Sequence, residues 1–226
     1  MKAITLRVLA VAALAAAGTA HAAAPAQSPE AVTDLFLRTL IHADPAAMKS
    51  LNDYTRPARV AAKVQGDFIN VPETLEADKD YAKDLAPVFL EQLKISDADK
   101  AALEPTVVKF MQSLHDAQKR TVCTTGKPEP ITEGVPKKSV AVSVPFECKV
   151  ANPPEKLKGF LQRASTSNWK TVAQYREGID KLRAGYETAP LTQNWSGALP
   201  LISDKKPVLW QNISPRDSVD ITEALF

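Results

Sequence analysis

The chain reads as an α+β protein: a helical N-terminal half, a disulfide-stapled antiparallel hairpin packed against a long amphipathic helix, and a short-stranded C-terminal tail. Three observations predict this. Between Ser28 and His115 apolar residues recur at helical spacing behind Ser/Asp-Pro starts. From Ser139 to Val150 the spacing changes to strict alternation, with Val140, Val142, Val144, Phe146, Cys148 and Val150 on one parity. The only two cysteines, Cys123 and Cys148, bracket a Pro/Gly-dense segment between two β-branched runs.

The chain opens on Lys2 and Arg7, followed by the uncharged apolar run Val8–Ala17 and the small-residue site Ala20-His21-Ala22. That order is a secretory signal peptide, with cleavage expected after Ala22. The run is too short to stay in a bilayer as a helix, and nothing later approaches the roughly 18 apolar residues a span needs. The expected organisation is thus a cleaved signal peptide, 1–22, and a single α+β domain, 23–226, with a possible helical subdomain at 28–118. The expected location is the periplasm, or the medium if secreted. No integral membrane segment is expected after processing.

Processing also alters the charge. The chain carries 28 Lys+Arg and 26 Asp+Glu, and the signal removes two bases and no acid, leaving 26 of each. A neutral chain has no long-range pull on polyanions, so nucleic acid is not an expected partner.

Ser28-Pro29-Glu30 caps and opens a first helix bearing Val32, Leu35, Phe36 and Leu40, and Asp44-Pro45 opens a second with Met48 and Leu51. Between Asn52 and Asn70 the pattern is weak, and Pro57 is expected to break it. Val71-Pro72-Glu73 starts a helical region to Leu93, with a break expected near Leu85-Ala86 ahead of Pro87. Ser96 caps a helix carrying Leu103, Val107, Phe110, Met111 and Leu114, and Pro105 is expected to kink or restart it.

In an oxidising compartment an even pair of cysteines without metal-ligand spacing reads as a disulfide. Setting Cys123 opposite Cys148 places the hairpin centre between Val135 and Pro136 and sets Gly126 against Pro145. The two disruptive residues then share one rung. Asn152-Pro153-Pro154-Glu155 is expected to start a helix with Leu157, Phe160 and Leu161. A longer amphipathic helix from Trp169 to Tyr186 is the expected cover for the valine face. The proline-rich tail predicts short strands or an ordered wrap, with a last helix near Ser214-Pro215.

Common chemistries lack their residues. His42 and His115 are the only histidines beyond the signal and form no ligand-spaced pair, so no metal site is expected, and no cofactor. There is no Gly-x-Ser-x-Gly turn and no glycine-rich phosphate loop. His115 with Asp116 does not make a dyad, because adjacent helical residues face apart. The acids Glu73, Glu76, Asp78, Asp80 and Asp84 alternate with Lys79 and Lys83, as on a solvated helix face. Asn194-Trp195-Ser196 and Asn212-Ile213-Ser214 match the glycan-acceptor pattern and are read as ordinary loop residues.

The function expected from these features is that of an exported, soluble, non-catalytic binding protein. Its partner is expected to be another protein, as for an inhibitor or immunity protein, with a small ligand as a further possibility. Trp195 and Trp210 are the candidate partner-binding residues, because aromatics anchor interfaces, although they also dominate cores. An envelope hydrolase with a site assembled from distant residues and an envelope assembly factor are the alternatives.

Overall fold

The computed structural model describes residues 27–167, 169–204 and 209–212. The expected signal peptide and the expected helix near Ser214 lie outside them. The first half is four helices: α1 (Pro29–His42), α2 (Pro45–Ala61), α3 (Val71–Glu91) and α4 (Asp97–Lys119). Each begins behind a side chain that accepts a first-turn backbone N–H: Ser28, Asp44, Asn70 and Ser96. Ala43, at φ 49°, ends α1 in the left-handed conformation and turns the chain directly into α2.

The expected breaks at Pro57 and Pro87 do not occur, nor does a fresh helix start at Pro105. α2 runs through Pro57, α3 through Pro87 and α4 through Pro105. Each ring deprives the carbonyl four residues back of its donor, and these are the carbonyls of Asp53, Lys83 and Ala101. All three of those residues are exposed, so water can take the place of the lost bond.

Beyond α4 the chain forms β1 (Val122–Thr125), β2 (Glu129–Ile131) and β3 (Ser139–Val150). Cys123 lies opposite Cys148 and is bonded to it, with the Cα atoms 4.0 Å apart. The Gly126 N–H donates to the Pro145 carbonyl at 2.7 Å, so those two residues do share a rung. That bond makes the Gly126 rung a hydrogen-bonded one. The cysteine rung, three residues away, is therefore of the non-hydrogen-bonded class, in which opposed Cα atoms come closest. A Cβ on Gly126 would stand 2.9 Å from Pro145 Cγ, which explains the glycine.

The register then slips. Glu129, Pro130 and Ile131 pair with Ser143, Val142 and Ala141, one residue out of step with β1. The strand β2 was not foreseen. Gly126-Lys127-Pro128 bulges against Val144-Pro145 and absorbs the extra residue. Pro130 sits on the rung that turns its missing donor away from β3, towards the sheet edge, where proline is tolerated.

The second half adds α5 (Leu157–Thr166), α6 (Val172–Thr188), β4 (Gln193–Asp204) and β5 (Gln211–Asn212). Both helices start later than their prolines and tryptophan suggest. Glu155, expected in the first turn of α5, instead grips Arg163 through two bonds of 2.8 and 2.6 Å. The Leu157 N–H is met by Tyr186 Oη at 3.1 Å. Burial pushes that phenol up to about 12. Thr171 and Gln174 form a capping box that fixes the start of α6 beyond Trp169. Arg120, at the end of α4, donates to the carbonyls of Tyr186 and Glu187 at 2.7 Å each and so ties the ends of α4 and α6 together.

β4 is longer and more regular than a proline-rich tail predicts. It pairs antiparallel with the whole of β3, Ser139 opposite Asp204 through Val150 opposite Gln193. Pro145 and Pro200 fall on rungs of the same class, opposite Ala198 and Ser143. Since the Pro145 carbonyl faces β1, both prolines turn their missing donors away from the β3–β4 ladder. The sheet order is β1-β3-β4-β5, with β2 beside β3 on the same side as β1.

The apolar parity of β3 faces the helices. Phe146, Cys148 and Val150 enter a core with Phe89 and Leu90 of α3, Leu103, Phe110 and Leu114 of α4, Phe160 of α5, and Ile179, Leu182 and Tyr186 of α6. Val144 enters a second cluster with Val32 and Phe36 of α1, Leu51 and Tyr54 of α2, and Leu199, Leu201 and Trp210. The expected cover, α6, shares the first core but packs mainly on α4, whereas α1 lies directly against β1 and β3. Gly197, opposite Phe146, leaves room for its ring: a Cβ there would lie 2.6 Å from Phe146 Cζ. Phe146 is 1% exposed and cannot retreat. Gly197→Ala is therefore expected to cost about 1–3 kcal/mol by overpacking, outweighing the roughly 0.5–1 kcal/mol a glycine-to-alanine change would otherwise gain. Urea unfolding measures it, and an unchanged or raised midpoint would refute it.

Candidate functional site

The two tryptophans singled out as partner contacts occupy different places. Trp210 is buried in the core beside Leu199 and Leu201, and its backbone N–H donates to Tyr54 Oη at 2.7 Å. It is a packing residue, because the chain before β5 passes under α2. Trp195, opposite Cys148 on the helix-facing side of β4, is half-buried with its ring 5.2 Å from that of Phe146. Only Trp195 keeps part of its surface open. Asn194, read as a loop residue, is a strand residue bonded by Lys149 Nζ across the sheet.

His115 does not pair with Asp116. Its Nε2 lies 2.9 Å from Asp78 Oδ1 on α3, and Lys119 Nζ reaches the other oxygen of that carboxylate at 2.5 Å. Tyr81 stacks on the imidazole with centroids 4.1 Å apart and planes 15° from parallel. Sequence reasoning missed this group because His115 and Asp78 are 37 residues apart. The available clue was spacing: His115 and Lys119 share one helix face, and so do Asp78 and Tyr81. Asp78 thus leaves the acidic stripe it was grouped with and turns inward. The His115 side chain is 7% exposed, and its Nδ1 is buried without a partner among the described residues. A catalytic base must aim its free nitrogen at a substrate. This one aims into protein.

Surface depressions among the described residues include two beside α6. One, of about 480 Å³, runs along the solvent side of α6 between Arg176, Glu177, Asp180 and Lys181. The other, of about 320 Å³, lies between the α3–α4 connection and the start of α6, where Lys94, Asp99 and Lys170 surround Trp169 and Tyr175. The Trp169 ring is already engaged by the Arg163 guanidinium at 5.0 Å, Tyr175 at 5.2 Å and Phe160 at 5.9 Å. Arg163 is in turn held by Glu155, and that pairing raises its pKa above the ordinary guanidinium value. The aromatic wall of this cleft is therefore already packed against protein. Among the described residues, no three His, Cys, Asp or Glu side chains converge as metal ligands would.

The outer face of the sheet is different. Val122 and Thr124 of β1, Glu147 and Lys149 of β3, and Asn194, Ser196 and Ala198 of β4 alternate away from the helices, and all are exposed. At its other end Ala141 lies between Ile131 and Ile202 and is 6% exposed. The exposed half is thus a flat patch of small and oppositely charged side chains on a backbone fixed by the disulfide. The outer edge of β4 continues it. The ladder alternation turns the backbone groups of Asn194, Ser196 and Ala198 away from β3, and among the described residues β5 pairs with Leu201 and Ile202 alone.

Comparison with protein-family models, curated proteins and solved structures finds no match to this chain. Among the described residues no helix is long and apolar enough to cross a membrane.

Proposed function

We propose that this is an exported periplasmic binding protein without catalytic activity, and that it holds a partner protein against the exposed half of its sheet, as an inhibitor or immunity protein does. One observation carries the reading: the disulfide-fixed patch of Val122, Thr124, Glu147, Lys149, Asn194, Ser196 and Ala198, exposed beside the outer edge of β4. Small side chains let a partner approach the backbone closely, and the β4 edge at Asn194–Ala198, unpaired among the described residues, offers main-chain hydrogen bonds to an added strand. Trp195, half-buried on the helix-facing side of the same strand, supplies aromatic surface beside that edge, of the kind that anchors interfaces. The disulfide fits an oxidising compartment and the signal sequence fits export.

The test is a pull-down from periplasm with the mature protein beginning at Ala23. Wild type is expected to retain one protein, and Ser196→Arg and Ala198→Arg are expected to release it, with folding checked by circular dichroism. Both positions are exposed, so neither change enters the core. Equal retention by wild type and both variants would overturn the placement of the surface. Absence of any partner, together with a small molecule retained through purification, would overturn the reading itself.

A further inference from the structure

We propose that the Asp78–His115–Lys119 cluster is an acid-released latch that holds the N-terminal half of α3 against α4. The geometry isolates that half helix. The buried residues of α3 are Ala82, Ala86, Phe89 and Leu90, so apolar packing anchors it only from its middle onward. Before it, Asn52 of α2 exchanges two hydrogen bonds with the backbone of Ile69, at 2.9 and 2.7 Å, and these do not titrate. Between those anchors the polar ties to α4 are Asp78 to His115 and Lys119, with the Tyr81–His115 stack beside them.

The latch is matched to a neutral imidazole. With its proton on Nε2, His115 donates to Asp78, and its lone pair on Nδ1 is buried. An added proton must go to Nδ1, where no acceptor waits among the described residues. It also creates a second cation beside Lys119, with one carboxylate between them. Burial is the largest influence and, with Lys119, holds the imidazole below its ordinary 6.5; Asp78 and, more weakly, Asp116 oppose them. From α1, His42 Nδ1 lies 3.0 Å from the Lys119 carbonyl. Tyr81 is uncharged, and burial raises its phenol further.

The sign follows from linkage. Because the folded state binds this proton less readily than the unfolded chain, the contribution is complete above about pH 6.5 and is lost as pH falls towards the folded value. In that window the opening equilibrium rises by up to about tenfold per pH unit.

Hydrogen exchange of the intact mature protein at pH 7.5 and 5.0, corrected for intrinsic rates, tests this. Protection across 71–81 is expected to fall several-fold on acidification while 103–117 changes less than twofold. His115→Gln, whose amide can still donate to Asp78 but cannot titrate, is expected to abolish the pH response of 71–81, and His42→Gln to retain it. An unchanged wild type, or the same response in His115→Gln, would overturn the latch. If His115→Gln does not fold, the wild-type imidazole is titrated by NMR. A His115 midpoint below 6.5 that coincides with shifts of the 71–81 amides supports the latch, and a midpoint at or above 6.5, or unchanged amides, overturns it.

Discussion

Replacing both Cys123 and Cys148 by alanine is expected to destabilise the protein by about 3–4 kcal/mol, the loop-entropy value for cysteines 25 residues apart. That is a large share of the roughly 5–15 kcal/mol that holds a typical domain folded. The local structure makes the dependence steep. β1 pairs with β3 over four residues, and the ladder is then interrupted by the bulge at Gly126–Pro128. The disulfide is therefore the main restraint on the arm that carries Val122 and Thr124 to the outer face. Urea unfolding of the oxidised protein, the reduced protein and the double variant measures the effect. Coincident midpoints would mean that the ladder alone holds the hairpin.

Phe110→Ala is expected to cost about 3–5 kcal/mol, the range for deleting a fully buried aromatic ring. Phe110 is 0% exposed and stands where three helices meet, 5.6 Å from Phe89 of α3 and 5.8 Å from Tyr186 of α6 between ring centroids. The cavity cannot be closed by one side chain turning, because its walls belong to separate elements. For a chain of this size the melting temperature should fall by roughly 10 °C or more. Phe68→Ala is the control: that ring is 43% exposed and packs edge-to-face with Phe36. A loss below about 1 kcal/mol at Phe110, or equal losses at both, would contradict this account of the core.

Much of the fold was legible because its signals are local. The Ser28, Asp44 and Ser96 caps require only a side-chain oxygen within reach of the next few amides. The alternation of β3 requires only the strand period, and its register with β1 followed from one covalent constraint. The readings that failed were those in which a local preference met a tertiary alternative. Pro57, Pro87 and Pro105 oppose helix, yet water and packing outweigh them. Pro200 opposes strand, yet the ladder spaces it onto a rung that asks nothing of its nitrogen.

The candidate surface was hardly legible at all. Trp195 and Trp210 look equivalent in sequence, and burial alone separates them. Ser196 and Ala198 carry no signal of their own and gain meaning only from lying opposite Glu147 and Pro145 on the face turned from the helices.

By itself the sequence determined the α+β class, the helix starts at Ser28, Asp44 and Ser96 and the pairing of Cys123 with Cys148, because each depends on neighbouring residues or on there being a single cysteine pair. Only the tertiary structure decided that Asp78 meets His115, that Trp210 is core, and that β4 pairs along the whole of β3 with half of the outer face exposed. Those outcomes depend on which helix lies against which strand, and that is set by the summed burial of residues far apart in the chain.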